Sequence, residues 1–304
     1  MHAELQMKKN THTLAYQLKM LVKDHKENSY ATQYDRRKML EAIGRELKRG
    51  GFNRMTPQSL KPKHIDYLVR HWKENNISSG SMKNRMTALR WWAEKVGKPA
   101  LIPRSNKGEN GHLKLHIEDR ARIATESKGK ELTGLMLSKV DNRYVQASLR
   151  LQAAFGLRRA ESIMFSPNYA VRGNVLYLKA SWCKSSRPRT INIRTDAQRA
   201  AIVFAKSVAG GGALIPPGKN YKQQKNVFNY VVSKAGISNV HGFRHFYAQT
   251  RYKELTNRDA PVKGGLTKNY MSSAQKHEYA AVRALISQEL GHERPEIVDI
   301  YLGR

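Results

Sequence analysis

The chain has 304 residues, 55 of them Lys or Arg against 24 Asp or Glu, for a formal charge of +31. Its length suggests two domains, and 40% apolar residues give each enough material for a core. The lack of a long uncharged apolar run excludes a membrane-spanning helix, and the charges within the first 26 residues exclude a signal peptide. A single cysteine, Cys183, excludes a disulfide framework or a cysteine-based zinc site and fits a reducing cytoplasm. The positive charge is spread along the chain, and no Asp or Glu occurs from Ala197 to Lys253. Such a surplus repels itself unless a polyanion neutralises it, and nucleic acid is the obvious candidate.

The first hundred residues predict four helices. Leu14 to Lys26 aligns Leu14, Leu18, Leu21 and Val22 on one face. Thr32 to Arg49 carries Tyr34, Met39, Ile43 and Leu47 and stops at Gly50-Gly51. Pro62 to Glu74 carries Ile65, Leu68, Val69 and Trp72. Ser78 to Val96 carries Met82, Met86, Leu89 and Trp92 before Gly97. Short connections make this a compact all-α domain over residues 1–102. Arg36, Arg37, Lys83, Arg85 and Arg90 are its candidate DNA-contacting residues. The polar, glycine-containing run from Pro103 to Gly111 opens a linker assigned to 103–130, and 131–304 forms the second domain.

There, Val145 to Phe155 has a helical pattern ended by Gly156, and a short helix resumes from Arg159 to Met164. Asn174 to Ser181 and Thr190 to Ile193 alternate like the strands of a hairpin around Lys184 to Pro188. Thr195 and Gln198 make a capping box that opens a helix to about Val208. A further helix over Lys222 to Ala235 ends at Gly236. Gly218-Lys219 lacks the rest of a Walker A loop, and neither His277-Glu278 nor His292-Glu293 completes a zincin motif. Scarce carboxylates speak against a nuclease built on an acidic metal cluster. Cys183 beside Lys184 has no evident His or acid partner and is taken as an incidental strand-end residue.

Four short pieces remain: Gly156-Leu157-Arg158 with Glu161; Lys184 followed by Arg187 and Arg189; His241 with Arg244-His245; and Leu290-Gly291-His292 with Tyr301 nine positions on. In this order and spacing they resemble the boxes of the tyrosine recombinase (phage integrase) family, and Ser81 to Trp92 is similar to the last DNA-contacting helix of its core-binding domain. The resemblance spans nearly the whole chain. It implies a mostly α fold with a small antiparallel β-sheet. It also implies a two-domain, C-shaped clamp of an all-α core-binding domain and an α+β catalytic domain. The implied activity is site-specific DNA recombination of the integrase or excisionase type, moving a mobile element without ATP, metal or other cofactor. The implied partner is double-stranded DNA with inverted repeats, bound by a homotetramer on two duplexes that is a monomer when free. A nucleoid-associated, cytoplasmic location follows. A chromosome-dimer (Xer-like) resolvase, a type IB topoisomerase-like enzyme and a non-catalytic DNA-binding accessory are the alternatives.

Chemistry gives these residues roles. A phenol that titrates near pH 10 must lose its proton as it attacks phosphorus, so Tyr301 is the expected nucleophile. Arg158 and Arg244 offer forked, permanently charged donors for the nonbridging oxygens. His241, three residues before Arg244, serves as base or hydrogen-bond donor, and His292 bonds a nonbridging oxygen. Lys184 protonates the leaving 5′-oxygen, with Lys179 as its substitute. Glu161 orients the cluster, while Arg187 and Arg189 contact DNA. Two departures from the family pattern are expected to matter. Residues 254–278 look like an insertion, either a surface loop or a contact with DNA or a partner. Only Leu302, Gly303 and Arg304 follow Tyr301 here, so docking by a longer tail, common among relatives, is in doubt, and the tyrosine segment or the insertion is expected to take that part.

Overall fold

The computed structural model describes residues 13–107, 109–110, 113–117 and 123–304. The chain divides into two compact units, residues 1–120 and 121–304.

In the first unit, α1 (Leu14–Asp24), α2 (Tyr30–Arg49), α3 (Pro62–Glu74) and α4 (Ser79–Lys95) follow the predicted order. Their starts have local causes. The side chains of Thr13, Ser29 and Ser78 accept from the otherwise unbonded amides of Tyr16, Thr32 and Ser81, and Pro62 opens α3 where no amide is needed. Leu18, Leu40, Ile43, Leu47, Ile65, Leu68, Trp72, Met86, Leu89 and Trp92 form a core with almost no exposed surface. Each such side chain contributes roughly 1.5–3 kcal/mol by leaving water. The buried indoles keep their hydrogen bonds: Trp72 Nε1 donates to Glu46 Oε2 at 2.8 Å and Trp92 Nε1 to the Pro57 carbonyl at 2.9 Å. Tyr34 departs from the sequence expectation. The buried face of α2 is Leu40, Ile43, Gly44 and Leu47, and Tyr34 is exposed beneath the cations of Arg37 and Lys38.

Part of the stretch assigned to a linker belongs to this unit. Strands β1 (Glu109–Asn110) and β2 (Leu113–Lys114) pair antiparallel, and Leu115 and Ile117 beyond them are fully buried in the same core. Hydrogen bonds from Ile117 N to Asn106 O, and from Arg90 to Pro103 O and Asn106 Oδ1, secure the segment.

The second unit contains α5 (Gly134–Ser138), α6 (Arg143–Phe155), α7 (Arg159–Ile163) and α8 (Pro167–Ala170), then strands β3 (Val171–Arg172), β4 (Val175–Leu178) and β5 (Arg189–Asn192). Helices α9 (Asp196–Ala209), α10 (Tyr221–Lys234), α11 (Gly242–Thr256), α12 (Ser273–Leu290) and α13 (Asp299–Leu302) complete it. The strands form one antiparallel sheet in the order β3-β4-β5, with Leu176 opposite Ile191 and Leu178 opposite Arg189. Leu176 and Leu178 point into the core and Val175 and Tyr177 are half-buried, the alternation that a one-sided sheet requires. Thr195 and Gln198 form the expected capping box.

Helix α6 is central, with Leu151 and Phe155 buried on one side and Val145 and Leu149 on the other. It ends at Gly156 with φ +62°, where a Cβ would lie 2.6 Å from the Tyr247 ring, so only glycine fits. The segment 254–278, read from the sequence as an insertion, is not a detached loop. Ala260 and Met271 are buried with Tyr252, Tyr279, Val298 and Leu302 in one cluster. Among the described residues no helix is long and apolar enough to cross a membrane.

Candidate functional site: a guanidinium and imidazole cluster around Tyr301

Four separate segments converge in the second unit. The turn after α6 supplies Arg158, the start of α11 supplies His241, Arg244 and His245, the turn after α12 supplies His292, and α13 supplies Tyr301. Arg244 is the hub. It is 1% exposed, and all three of its nitrogens are engaged. Nε donates to the Tyr301 hydroxyl at 3.2 Å, Nη1 to the Gly156 carbonyl at 2.5 Å and Nη2 to the Leu290 carbonyl at 2.5 Å. Nη2 also lies 3.1 Å from His292 Nε2. The two carbonyls belong to helix ends whose last turns leave C=O groups unpaired, so α6 and α12 terminate in acceptors for one guanidinium. Burial pushes the Arg244 pKa down to about 10, which leaves it charged at neutral pH.

Three imidazoles surround the phenol, with ring centroids 4.6 Å (His245), 5.6 Å (His292) and 6.0 Å (His241) from that of Tyr301. Burial and neighbouring positive charge hold all three below the usual histidine range: His292 at about 3, His245 at about 4, and His241 lowered by burial and by Arg244 and Arg158. All are therefore neutral at pH 7 and can accept a proton or a hydrogen bond.

Arg158 is fixed by Glu161. The carboxylate, fully buried, accepts from Arg158 N and Nη1, both at 2.8 Å, and Arg158 Nη2 donates to the Gly291 carbonyl at 3.2 Å. Glu161 also accepts from Arg189 Nη1 at 2.9 Å and Nη2 at 2.7 Å. Burial works against its charge, but the Arg189 hydrogen bonds and the Arg189, Arg244 and Arg158 charges overcome it and hold the pKa at about 2. Two guanidiniums thus share one carboxylate with the Arg244 charge close by, a local positive surplus suited to an anion.

The other site residues expected from sequence divide. Lys184 is exposed on the turn Lys184–Ser186 between β4 and β5 and has no contact with the cluster. Lys179 lies over the rings of Tyr169 and Trp182 at 5.2 and 5.3 Å. Cys183, beside Lys184, has its thiol pKa raised by burial and receives a contact from Arg189 Nη1 at 3.4 Å, so it is not an activated thiol.

Arg189 corrects the sequence expectation of a DNA contact. Its side chain is 7% exposed, clamps Glu161 and donates from Nε to the Glu289 carbonyl at 2.8 Å. A buried carboxylate 28 positions earlier draws it inward. Arg187 is exposed and paired with the exposed Glu293.

In the first unit, Arg90 is likewise turned inward, half-buried on Pro103 and Asn106, and Arg85 pairs with Glu46 at 3.0 Å over the Trp72 ring. Neither presents a free guanidinium to DNA. Arg36 lies 4.5 Å over Trp91, Arg37 pairs with Glu41 at 3.7 Å, and Lys83 is exposed on α4.

The sequence reading placed His245 in the motif beside Arg244 but gave it no role, and its ring is the nearest of the three to Tyr301. Sequence reasoning passed over Gln249, whose Nε2 donates to the Tyr301 carbonyl at 2.9 Å, and Glu289, which accepts from Tyr247, Arg194 and Arg251. One helical turn from Arg244, Ala248 and Gln249 carry no charge to attract notice.

The fold that carries this cluster is that of solved DNA-bound integrase structures, to which the chain is similar at low identity. Residues 11–102 match the family model described as phage integrase, N-terminal. Among solved structures, the chain is similar to a lambda integrase (75–356) dimer bound to a COC′ core site, with 14% identity, 95% of each chain covered and a TM-score of 0.60. It is also similar to the Tn1549 transposon integrase (82–397) in complex with circular intermediate DNA, with 13% identity, 97% of this chain and 96% of that one covered, and a TM-score of 0.53. A lambda integrase tetramer bound to a Holliday junction matches with 14% identity, 94% and 79% coverage and a TM-score of 0.57. No curated protein matches the chain.

Proposed function

We propose that the protein is a site-specific DNA recombinase that cuts and rejoins strands through a 3′-phosphotyrosine on Tyr301. The observation that carries this reading is the hydrogen bond from the buried Arg244 to the Tyr301 hydroxyl, within a ring of neutral histidines. That hydroxyl occupies a donor suited to a nonbridging phosphate oxygen. When a phosphodiester enters, Arg244 and Arg158 take its oxygens and the phenol is left beside phosphorus.

The phenolic oxygen forms a bond to phosphorus and gives up its proton to a neutral imidazole, His245, the ring nearest to Tyr301, or His241. The bond to the 5′-oxygen breaks, and Lys184, carried in on its turn, supplies the proton to the departing oxygen. His292 bonds a nonbridging oxygen. Developing negative charge meets donors fixed in advance by Glu161, Gly156 and Leu290, so little reorganisation is required. The ester bond is retained on tyrosine, and a 5′-hydroxyl from a second strand reverses the step with no nucleotide and no metal. The similar structures bound to DNA, including the tetramer on a Holliday junction, support a homotetramer on two duplexes as the working assembly. The charge of +31 supports DNA as the partner.

The test is a duplex selected from random sequence by binding to the protein and nicked near the point of cleavage. Escape of the short fragment traps the covalent complex. The complex is expected with the parent and absent with Tyr301→Phe. Its persistence with Tyr301→Phe overturns the assignment.

A further inference from the structure

Tyr301 rides on a helix of four residues, Asp299–Leu302, far too short to hold itself. What fixes it lies outside the cluster. Arg283 of α12, 6% exposed, pairs through Nη2 with Asp299 at one end of this helix. Its Nη1 donates to the Gly303 carbonyl at the other end, at 3.3 Å, and to the Tyr279 hydroxyl at 2.7 Å; that hydroxyl donates onward to the same carbonyl at 3.4 Å. One guanidinium thus grips both ends of the segment. Gln249 holds the middle through the Tyr301 carbonyl, and Ala124 N donates to the Asp299 carbonyl at 3.1 Å.

The insertion closes the remaining side. A Cβ on Gly303, which has φ +72°, would lie 2.9 Å from Val262 N and 3.2 Å from the Ala124 carbonyl. The turn at 260–265 is therefore seated directly on the end of the tyrosine helix. It is itself tight: Gly265 packs on the Asp259 carbonyl with no room for a Cβ, and Ala260 is fully buried. Arg283, Asp299 and Val262 do not touch the Tyr301 hydroxyl, Arg244 or the imidazoles. Their contacts constrain where the phenol sits, not its chemistry.

We infer that Arg283 and Asp299, braced by the 260–265 turn of the insertion, form a latch that delivers Tyr301 to the pocket of its own subunit and withholds it from a neighbour's. The inference rests on the proposed strand-cutting activity and assigns the insertion a part in it. Arg283 is here a positioning residue. Because the latch is a buried ion pair, loss of either charge leaves the other without its partner and loosens the helix as a whole.

The test uses the selected, nicked duplex described above, full-length protein and a mixing design. Arg158→Ala disables the pocket but keeps the tyrosine, and Tyr301→Phe does the reverse, so their mixture reports delivery between subunits. Three results are expected. The mixture yields no covalent complex. Asp299→Asn and Arg283→Gln, with DNA affinity unchanged, cut in single turnover more slowly by on the order of tenfold to a hundredfold, and Arg283→Lys recovers part of the rate. The double variant Arg158→Ala/Asp299→Asn mixed with Tyr301→Phe yields a covalent complex carrying the double variant. Asp299→Asn, the milder change, keeps the experiment decisive if Arg283→Gln fails to fold. A parental rate for Asp299→Asn, no exchange from the unlatched pair, or exchange with the latch intact overturns the inference. Absence of any complex with the parent instead overturns the proposed activity.

Discussion

Replacing Glu161 by Gln keeps its shape and removes its charge. The carboxylate is fully buried and accepts four hydrogen bonds, two from Arg158 and two from Arg189, whose side chain is itself 7% exposed. The amide can accept at one atom only, so two guanidiniums lose their shared counter-charge. Breaking a buried pair in this way costs about 3–5 kcal/mol. The pKa gives an independent figure: a fall from 4.5 to about 2 corresponds to roughly 3 kcal/mol of preference for the charged form. For a unit of this size the melting temperature should fall by roughly 6–20 °C.

The pH dependence has a definite sign. The folded pKa lies below the unfolded one, so the carboxylate's contribution is complete above about pH 4.5 and is lost as the pH falls through about 2. Thermal melts of parent and Glu161→Gln from pH 7 down to pH 2 should therefore differ widely at neutral pH and converge in acid. Equal melting temperatures at pH 7 would refute the idea that this carboxylate balances the cluster.

Other changes isolate single features. Gly156→Ala places a methyl 2.6 Å from the Tyr247 ring at φ +62° and should cost at least about 1–2 kcal/mol in urea titration, with loss of cutting as the carbonyl that holds Arg244 shifts. Lys184→Ala should slow cutting by roughly 10²–10⁴-fold on ordinary DNA and regain the rate when sulfur replaces the bridging 5′-oxygen, since a thiolate leaves without a proton; an equal loss on both substrates would exclude Lys184 as the acid. In salt titrations of DNA binding, Lys83→Ala or Arg187→Ala should each reduce the slope of log K by about 0.9, one phosphate contact. Arg90→Ala should leave that slope unchanged and destabilise the first unit, because its donors are spent on Pro103 and Asn106.

What was legible in the sequence follows the range of the forces involved. Helix ends at Ser78, Thr195 and Gly156 are set by neighbours within four residues and appear where local signals put them, whereas the second helix starts at Tyr30 behind its Ser29 cap, two residues before the start read from the sequence. The alternation of Leu176 and Leu178 gave the sheet its buried face. The segments bearing Arg158, Arg244, His292 and Tyr301 do meet, because motif spacing carries tertiary information that periodicity lacks. Charged side chains were misjudged where the partner is distant: Arg85 and Glu46 are 39 positions apart, and Arg189 and Glu161 are 28 apart. A basic residue on a helix or strand looks the same in sequence whether it faces a phosphate or a buried carboxylate. The insertion was ambiguous for the same reason, since Val262 finds its place only once Gly303 is beside it.

The central claim is most directly tested by digesting the trapped protein–DNA complex and locating the nucleotide by mass spectrometry. The account requires the 3′-phosphate of the cut strand on the peptide containing Tyr301, and on no other residue. An adduct on a different side chain such as Tyr247 or Tyr270, or a linkage through the 5′ end, would contradict it.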